Sequence, residues 1–302
     1  PSRVLFIIGP TASGKTGLSL QIAKQIDSLI ISADSRQIYL DMDICTAKHA
    51  ARPAQAALSE SLPLAQQPYM IEGIAHYLID IVAPSARYSL FDFQQDAKQI
   101  IASAFEEGIK PIVCGGTGLH VDSLIKNYQV NAQTSESLEL KNQLNQEYQD
   151  LLKSKPSEAK DLMWQKLQAI SPKRAAEIHP HNIHAILREL EFMLLNKESK
   201  TAVAKTSSPE FAYDIILIWP ERQELYSRIN ARIDSQLSQG LEQETTKLYA
   251  KYPNAHTALS SLGYKQVKAY LDNPEIKQQQ IDEFKKLTRN YAKRQYTWFT
   301  RY

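Results

Sequence analysis

The sequence lacks most of the features that mark exported, membrane-bound or zinc-built proteins. Its 302 residues contain two cysteines, Cys45 and Cys114. They are far apart and fit no metal-ligand spacing, which excludes a disulfide framework and a cysteine zinc site. Both are read as reduced thiols. No apolar run is long enough for a membrane-spanning helix, and PSRVLFIIG enters a strand pattern with no signal-peptide texture. The expected location is the cytoplasm, with no membrane partner. Net charge is also small, a formal +2, too little by itself to attract a polyanion. No internal repeat is visible.

The chain does hold ample core material, with 43% hydrophobic residues and 23% charged. Its length suits one large domain or a domain carrying a sizeable insertion. Its charge is unevenly placed: Lys285, Lys286, Arg289, Lys293, Arg294 and Arg301 lie between 285 and 302 with no acidic residue among them. Such a stretch either follows a phosphate backbone or forms a solvated helix face.

Strand patterns occur at RVLFIIG, SLIISAD, HYLIDIV, KPIVCGG and YDIILIWP, as the continuous apolar runs of a sheet covered on both faces. Helical spacing separates most of them, from Lys15 to Gln25 and in FDFQQDAKQIIASAFEEG. The alternation predicts an α/β fold, a parallel sheet flanked by helices. Between 127 and 181 the texture turns polar with helical periodicity, which reads as a small all-helical insertion. Residues 1–126 and 182–302 then form the core, which closes with helical stretches at Glu221–Tyr252, Leu259–Asp272 and Pro274–Tyr302. The Ala-, Pro- and Gln-rich segment from His49 to Pro68 reads as a surface loop.

GPTASGKT, residues 9–16, follows the first strand and opens a helix. It fits the phosphate-cradling P-loop, in which Gly9 and Gly14 allow the backbone path and the N–H groups of Thr11, Ala12 and Ser13 converge on an anion. Lys15 adds a charge, and Thr16 offers a hydroxyl to Mg²⁺. The motif specifies phosphate without specifying ATP. Asp34 and Asp80 end strand-like runs as an NTPase Mg²⁺ carboxylate would, so a small-molecule kinase stays open. Asp34 stands where open parallel sheets place ligands and suits a general base, or a helix cap. CGGTG, 114–118, reaches the same edge and presents Thr117.

Taken in order, GPTASGKT, ADSRQIYLDMDICTAK, HYLIDI, YSLFDFQQDA, PIVCGGTGLH, RELE, LGYKQ and YAKRQYTWF resemble the tRNA dimethylallyltransferase (IPP transferase) family of bacterial type, from Val4 to Trp298. The resemblance implies a cradle for the diphosphate of dimethylallyl diphosphate, with Mg²⁺ at Thr16. It implies transfer of the dimethylallyl group to the exocyclic amine of the adenosine at tRNA position 37, beside the anticodon. Asp34 matches the family's base and Thr117 its threonine near the reacting centre. Arg232 matches a diphosphate-binding arginine, with Arg228 one turn earlier as a second arm. Asp34, Ser35, Arg36, Gln37, Thr117, His184, Arg188, Lys293, Arg294 and Gln295 map to tRNA contacts, the helical insertion to a grip on the anticodon stem-loop, and the protein to a monomer. Alternatives are an adenylate (cytokinin-type) isopentenyltransferase, the kinase, and a non-catalytic RNA-binding protein. Departures from the family pattern are Cys45, His49, His120, Asn182 and Ala185, which touch RNA binding more than chemistry.

Overall fold

The computed structural model describes residues 3–48, 63–128, 135–196 and 208–302. It divides into two compact units, Pro1–Asn127 with Pro209–Tyr302, and Tyr128–Ser208.

In the larger unit the described strands are β1 (Arg3–Ile8), β2 (Ser28–Ser32), β3 (Tyr69–Ile71), β4 (Ile74–Tyr77), β5 (Lys110–Gly115) and β6 (Ala212–Leu217), in the order β3-β4-β2-β5-β1-β6. All pair in parallel except the edge strand β3. The central strand β1 shows why the layers form. Val4, Phe6 and Ile8 pack on one face with Phe93, Val121 and Ile229, while Ile7 packs on the other with Leu20, Ile30 and Ile112. Each such aliphatic side chain contributes about 1.5–3 kcal/mol on burial, so both faces demand a helical cover.

That cover comes from α1 (Lys15–Ala23), α2 (Leu90–Glu106) and α3 (Gly118–Ile125), and, after the described helices of the smaller unit, from α8 (Arg222–Ser238), α9 (Leu241–Lys251), α10 (His256–Leu259), α11 (Tyr264–Asp272) and α12 (Lys277–Phe299). A capping box starts α2: the Asp92 N–H donates to Ser89 Oγ at 3.3 Å, and the Ser89 N–H to the Asp92 carboxylate at 2.7 Å.

The smaller unit contains α4 (Ser135–Ser154), α5 (Ala159–Ile170), α6 (Pro172–Glu177) and α7 (Ile183–Asn196). Its core gathers Leu144, Met163, Leu167, Ala175, Ile186 and Leu190. Trp164 Nε1 donates to the carbonyls of Ala175 and Ile178, both at 3.1 Å, which seats α6 against α5. Arg174 holds the buried Glu189 carboxylate through two nitrogens at 3.1 Å each. At Asn182 the side-chain oxygen accepts the Ala185 N–H at 3.3 Å and caps α7, so asparagine keeps the capping role open to an aspartate.

Three elements differ from the sequence reading. The strand expected at HYLIDIV ends at Tyr77 and is the second arm of a hairpin, turned at Glu72 (φ 49°) and Gly73 (φ 81°). Beyond it Leu78 and Asp80 adopt positive φ, 62° and 55°, while Asp80 pairs with Lys48 and its N–H donates to the Gln37 carbonyl. Those contacts replace ladder pairing. The helix expected over Glu221–Tyr252 is two, separated at Gln239–Gly240. The helical unit runs to Ser208 and includes α7, which the sequence reading left in the core. Most of the expected surface loop, 49–62, lies outside the described residues, His49 included. Among the described residues no helix is long and apolar enough to cross a membrane.

Candidate active site

Three chain segments leave the carboxyl edge of neighbouring parallel strands and meet there: the P-loop after β1, Asp34 after β2 and Gly116–Thr117 after β5. Gly14 has φ 94° and Ala12 φ 61°. At Gly9 a Cβ would stand 2.6 Å from the Ile218 carbonyl, so only glycine lets β6 close against the loop. Ser13 Oγ is buried with no hydrogen-bond partner among the described residues. A buried donor of that kind fits an incoming anion.

Two cations face the same place. The Lys15 ammonium rests on the Pro10 carbonyl at 2.6 Å, and Arg232 reaches Thr11 Oγ1 at 3.4 Å. Neither forms an ion pair among the described residues. Burial pulls Lys15 down to about 8, against the opposing influence of the Cys114 thiol and the Asp34 charge, and Arg232 lowers it further. Burial likewise lowers Arg232, with Asp34 and Cys45 acting the other way. Two desolvated cations held side by side store repulsion that a bound anion relieves.

Asp34 is fixed by one oxygen, which accepts the Arg36 N–H at 2.9 Å. Its other oxygen has no hydrogen bond among the described residues. Thr117 Oγ1 accepts the Ser35 N–H at 3.1 Å. Burial and then the charge of Asp34 push the nearby Tyr291 phenol up to about 12, with Thr117 acting the other way. Asp34, Arg232 and Tyr291 border a cavity of ≈ 360 Å³ that is also lined by Thr11, Ala12 and Arg294, with an apolar wall of Ile229, Ile233, Leu262 and Phe284. That volume lies in the range of small-ligand sites. A wider groove of ≈ 1170 Å³ shares Arg232 and Gln236 with it but is lined by neither the P-loop nor Asp34.

The cavity wall at residues 41–48 is held by side chains far away in sequence. Glu244 accepts the N–H groups of Asp43, Ile44 and Cys45 at 3.0, 2.7 and 3.2 Å, and the Tyr264 hydroxyl at 2.6 Å. Gln236 donates to the carbonyls of Ile44 and Cys45 at 2.7 and 3.0 Å. Cys45 lines the cavity, its thiol donates to the Leu262 carbonyl at 3.3 Å, and burial followed by the Glu244 charge pushes it up to about 12. Neither Glu244 nor Gln236 was a candidate from the sequence. No local motif marks contacts made across about 200 positions.

Among the remaining sequence candidates, Ser35 and Arg36 line the cavity, and Arg36 donates to the Thr257 carbonyl at 3.3 Å. Gln37 bridges Ser32 Oγ and the Thr46 carbonyl. Arg228 is not brought to the site: it is exposed and paired with Glu224, because one helical turn on α8 carries it past the cavity rim. Gln295, expected among the tRNA contacts, is 5% exposed and binds backbone with both ends of its amide. Lys293 and Arg294 are exposed, and Arg294 lies over the Tyr291 ring. In the helical unit His184 and Arg188, four residues apart on α7, are both exposed. His120 stacks on Phe93 at 4.0 Å, and burial lowers it to about 4, so it is a neutral packing residue.

For a metal, the described residues contain no cluster of three or more His, Cys, Asp or Glu side chains. Asp80, an NTPase-like candidate, is paired with the buried Lys48. The exposed Thr16 hydroxyl on the first turn of α1 fits a Mg²⁺ ion that takes its other ligands from diphosphate oxygens and water.

The IPP transferase family model matches residues 37–302. A tRNA dimethylallyltransferase of Acetivibrio thermocellus is 38% identical over 301 residues, covering 98% of this chain and 88% of the relative. One from Anoxybacillus flavithermus is 35% identical over 299 residues, covering 98% and 87%. Among solved structures, a tRNA delta(2)-isopentenylpyrophosphate transferase from Staphylococcus epidermidis matches with TM-score 0.63 and 32% identity, over 99% of this chain and 90% of that one. A eukaryotic dimethylallyltransferase acting on tRNA matches with TM-score 0.75 and 25% identity, over 99% and 70%.

Proposed function

The chain belongs to the IPP transferase family, and we infer that it transfers the dimethylallyl group of dimethylallyl diphosphate to the exocyclic amine of an adenosine in tRNA. The observation that carries this reading is the meeting, at one carboxyl edge of the sheet, of two half-buried cations without carboxylate partners among the described residues, Lys15 beside the P-loop and Arg232 in the cavity wall, with a half-free carboxylate, Asp34.

In this reading the diphosphate occupies the P-loop against Lys15, Ser13 and Arg232. The amine nitrogen attacks the allylic carbon, the carbon–oxygen bond breaks with its electron pair leaving on diphosphate, and the amine proton passes to Asp34. Charge gathers on the leaving oxygens, and fixed cations and N–H groups stabilise it without reorganising. Mg²⁺ at Thr16, when bound, supplies further neutralisation of that charge. Tyr291 lines the acceptor side of the cavity. The adenosine must leave its stack to enter, at a cost of about a few kcal/mol. Its position is 37, beside the anticodon, and the grip on the stem-loop comes from the basic face of α12 and from the helical unit with His184 and Arg188. The protein acts as a monomer in this reading, and a tRNA substrate supports a cytoplasmic location.

The test is mass spectrometry of nucleosides after incubating unmodified tRNA, or adenosine monophosphate, with protein, Mg²⁺ and dimethylallyl diphosphate. Dimethylallyl adenosine is expected from tRNA alone, and Asp34→Ala is expected to slow single-turnover transfer by ~10²- to 10⁴-fold while tRNA still binds. Product from the mononucleotide would favour the cytokinin-type reading. Unchanged turnover in Asp34→Ala would remove Asp34 as the base.

A further inference from the structure

Gln295 lies on α12, 284 positions from the P-loop, yet its Oε1 accepts the Thr11 N–H at 2.8 Å. Its Nε2 donates to the Gly116 carbonyl at 2.8 Å. The side chain is 5% exposed, and a Cβ on Gly116 would come within 2.5 Å of Nε2 and 3.6 Å of the Lys15 ammonium. One amide thus ties together the two backbone walls beside Lys15. A carboxylate or an ammonium could make one of these bonds but not both at neutral pH, since the position needs an acceptor and a donor at once.

The same helix borders the other half of the cavity. Tyr291, one turn before Gln295, lines it, and the neighbouring Arg294 lines it as well. A ligand that shifts Tyr291 and Arg294 therefore pulls, through one rigid helix, on the Thr11 N–H and the Gly116 carbonyl.

Resting on the function inferred above, we propose that Gln295 is a positioning residue that couples the two substrates: acceptor RNA held by Tyr291 and Arg294 sets the geometry of the diphosphate cradle through the Gln295 amide. Gln295 touches neither reacting atom. Its action is to fix where the Thr11 amide and the Gly116 wall stand relative to Lys15, so occupancy of one half of the cavity changes affinity in the other.

The experiment measures the dissociation constant of inorganic pyrophosphate in Mg²⁺ buffer by calorimetry, with and without saturating unmodified tRNA. For the unaltered protein, tRNA is expected to tighten pyrophosphate binding by a factor in the range of roughly 5- to 150-fold typical of coupled sites. In Gln295→Met, which keeps the volume and loses both hydrogen bonds, the factor is expected to fall to near unity. Gln295→Glu covers the case in which the methionine variant does not fold. A protonated glutamate offers one donor and one acceptor, so its coupling is expected to be absent at neutral pH and to return as pH falls toward 5, relative to the unaltered protein. A merely structural role would lower the melting temperature and leave the coupling factor of the folded protein intact. Coupling kept in either folded variant, or absent from the unaltered protein while both ligands bind, would overturn the proposal. An unaltered protein that binds neither pyrophosphate nor tRNA would instead overturn the functional reading beneath it.

Discussion

The carboxyl edge of the sheet and the helical unit use polar residues in opposite ways. At the sheet edge the polar side chains are buried or half-buried and bonded several times over: Glu244 accepts three N–H groups and a phenol, Gln295 joins two loops, and Lys48 holds Asp43 and Asp80. In the helical unit Arg174 on Glu189 and Trp164 on two carbonyls are comparable features, while His184 and Arg188 stand exposed above a small apolar core. Bond-making chemistry tolerates little displacement of its groups, so their supports must be over-determined. Binding to a charged polymer sums many weak, replaceable contacts. The two units should therefore respond differently to loss of a single charge.

The largest effect is expected at the over-determined edge. Lys15→Ala should weaken pyrophosphate binding by roughly 10- to 100-fold, the weight of a charge-assisted bond of about 1.5–3 kcal/mol. The unaltered protein should also show a pH signature. With Lys15 at about 8 in the free site, and raised when an anion arrives, affinity is flat below about pH 8. Above that the free protein has lost its proton and binding must recapture it, so affinity falls by up to about tenfold per pH unit. Calorimetry in buffers of different ionisation enthalpy would detect the proton uptake. A flat profile from pH 7 to 9.5 would place Lys15 outside the anion site and erase the contrast between the two regions.

Arg188→Ala in the helical unit tests the other side. It is expected to weaken tRNA binding only a few-fold at all sequences and to flatten the salt dependence by about one phosphate contact. Pyrophosphate affinity should not change. A change in pyrophosphate affinity comparable with that of Lys15→Ala would mean that the two regions do not differ as described.

Much of the edge was legible because its parts are local. A P-loop is a strand, a turn and a helix within about sixteen residues, and Asp34 and Thr117 each follow a recognisable apolar run. The supports were not legible. Glu244, Gln236 and Gln295 act on partners 179 to 284 positions away; nothing in the neighbourhoods of Glu244 and Gln236 distinguishes them from surface residues of amphipathic helices, and Gln295, marked by its motif, was expected at RNA rather than on the P-loop backbone. The β3–β4 hairpin did carry a signal, the two-residue Glu72–Gly73 turn between apolar runs. Reading HYLIDIV as one buried strand hid it, because a continuous apolar run does not reveal where the chain turns.

The smallest effect is expected from a residue that sequence spacing could not separate from its neighbour. Arg228 and Arg232 are one turn apart on α8, and that spacing allows both to face a diphosphate. An α-helix advances 400° over four residues, so the two point about 40° apart. Here the difference decides: Arg232 enters the cavity and touches Thr11, whereas Arg228 is left exposed with Glu224. An exposed pair of this kind contributes about 0.2–1 kcal/mol to stability. Arg228→Ala is therefore expected to shift the melting temperature slightly and to leave pyrophosphate affinity within error, while Arg232→Ala weakens it on the scale of Lys15→Ala. Equal losses at the two positions would mean that α8 rotates when the diphosphate binds and that the edge is less rigid than its buried hydrogen bonds imply.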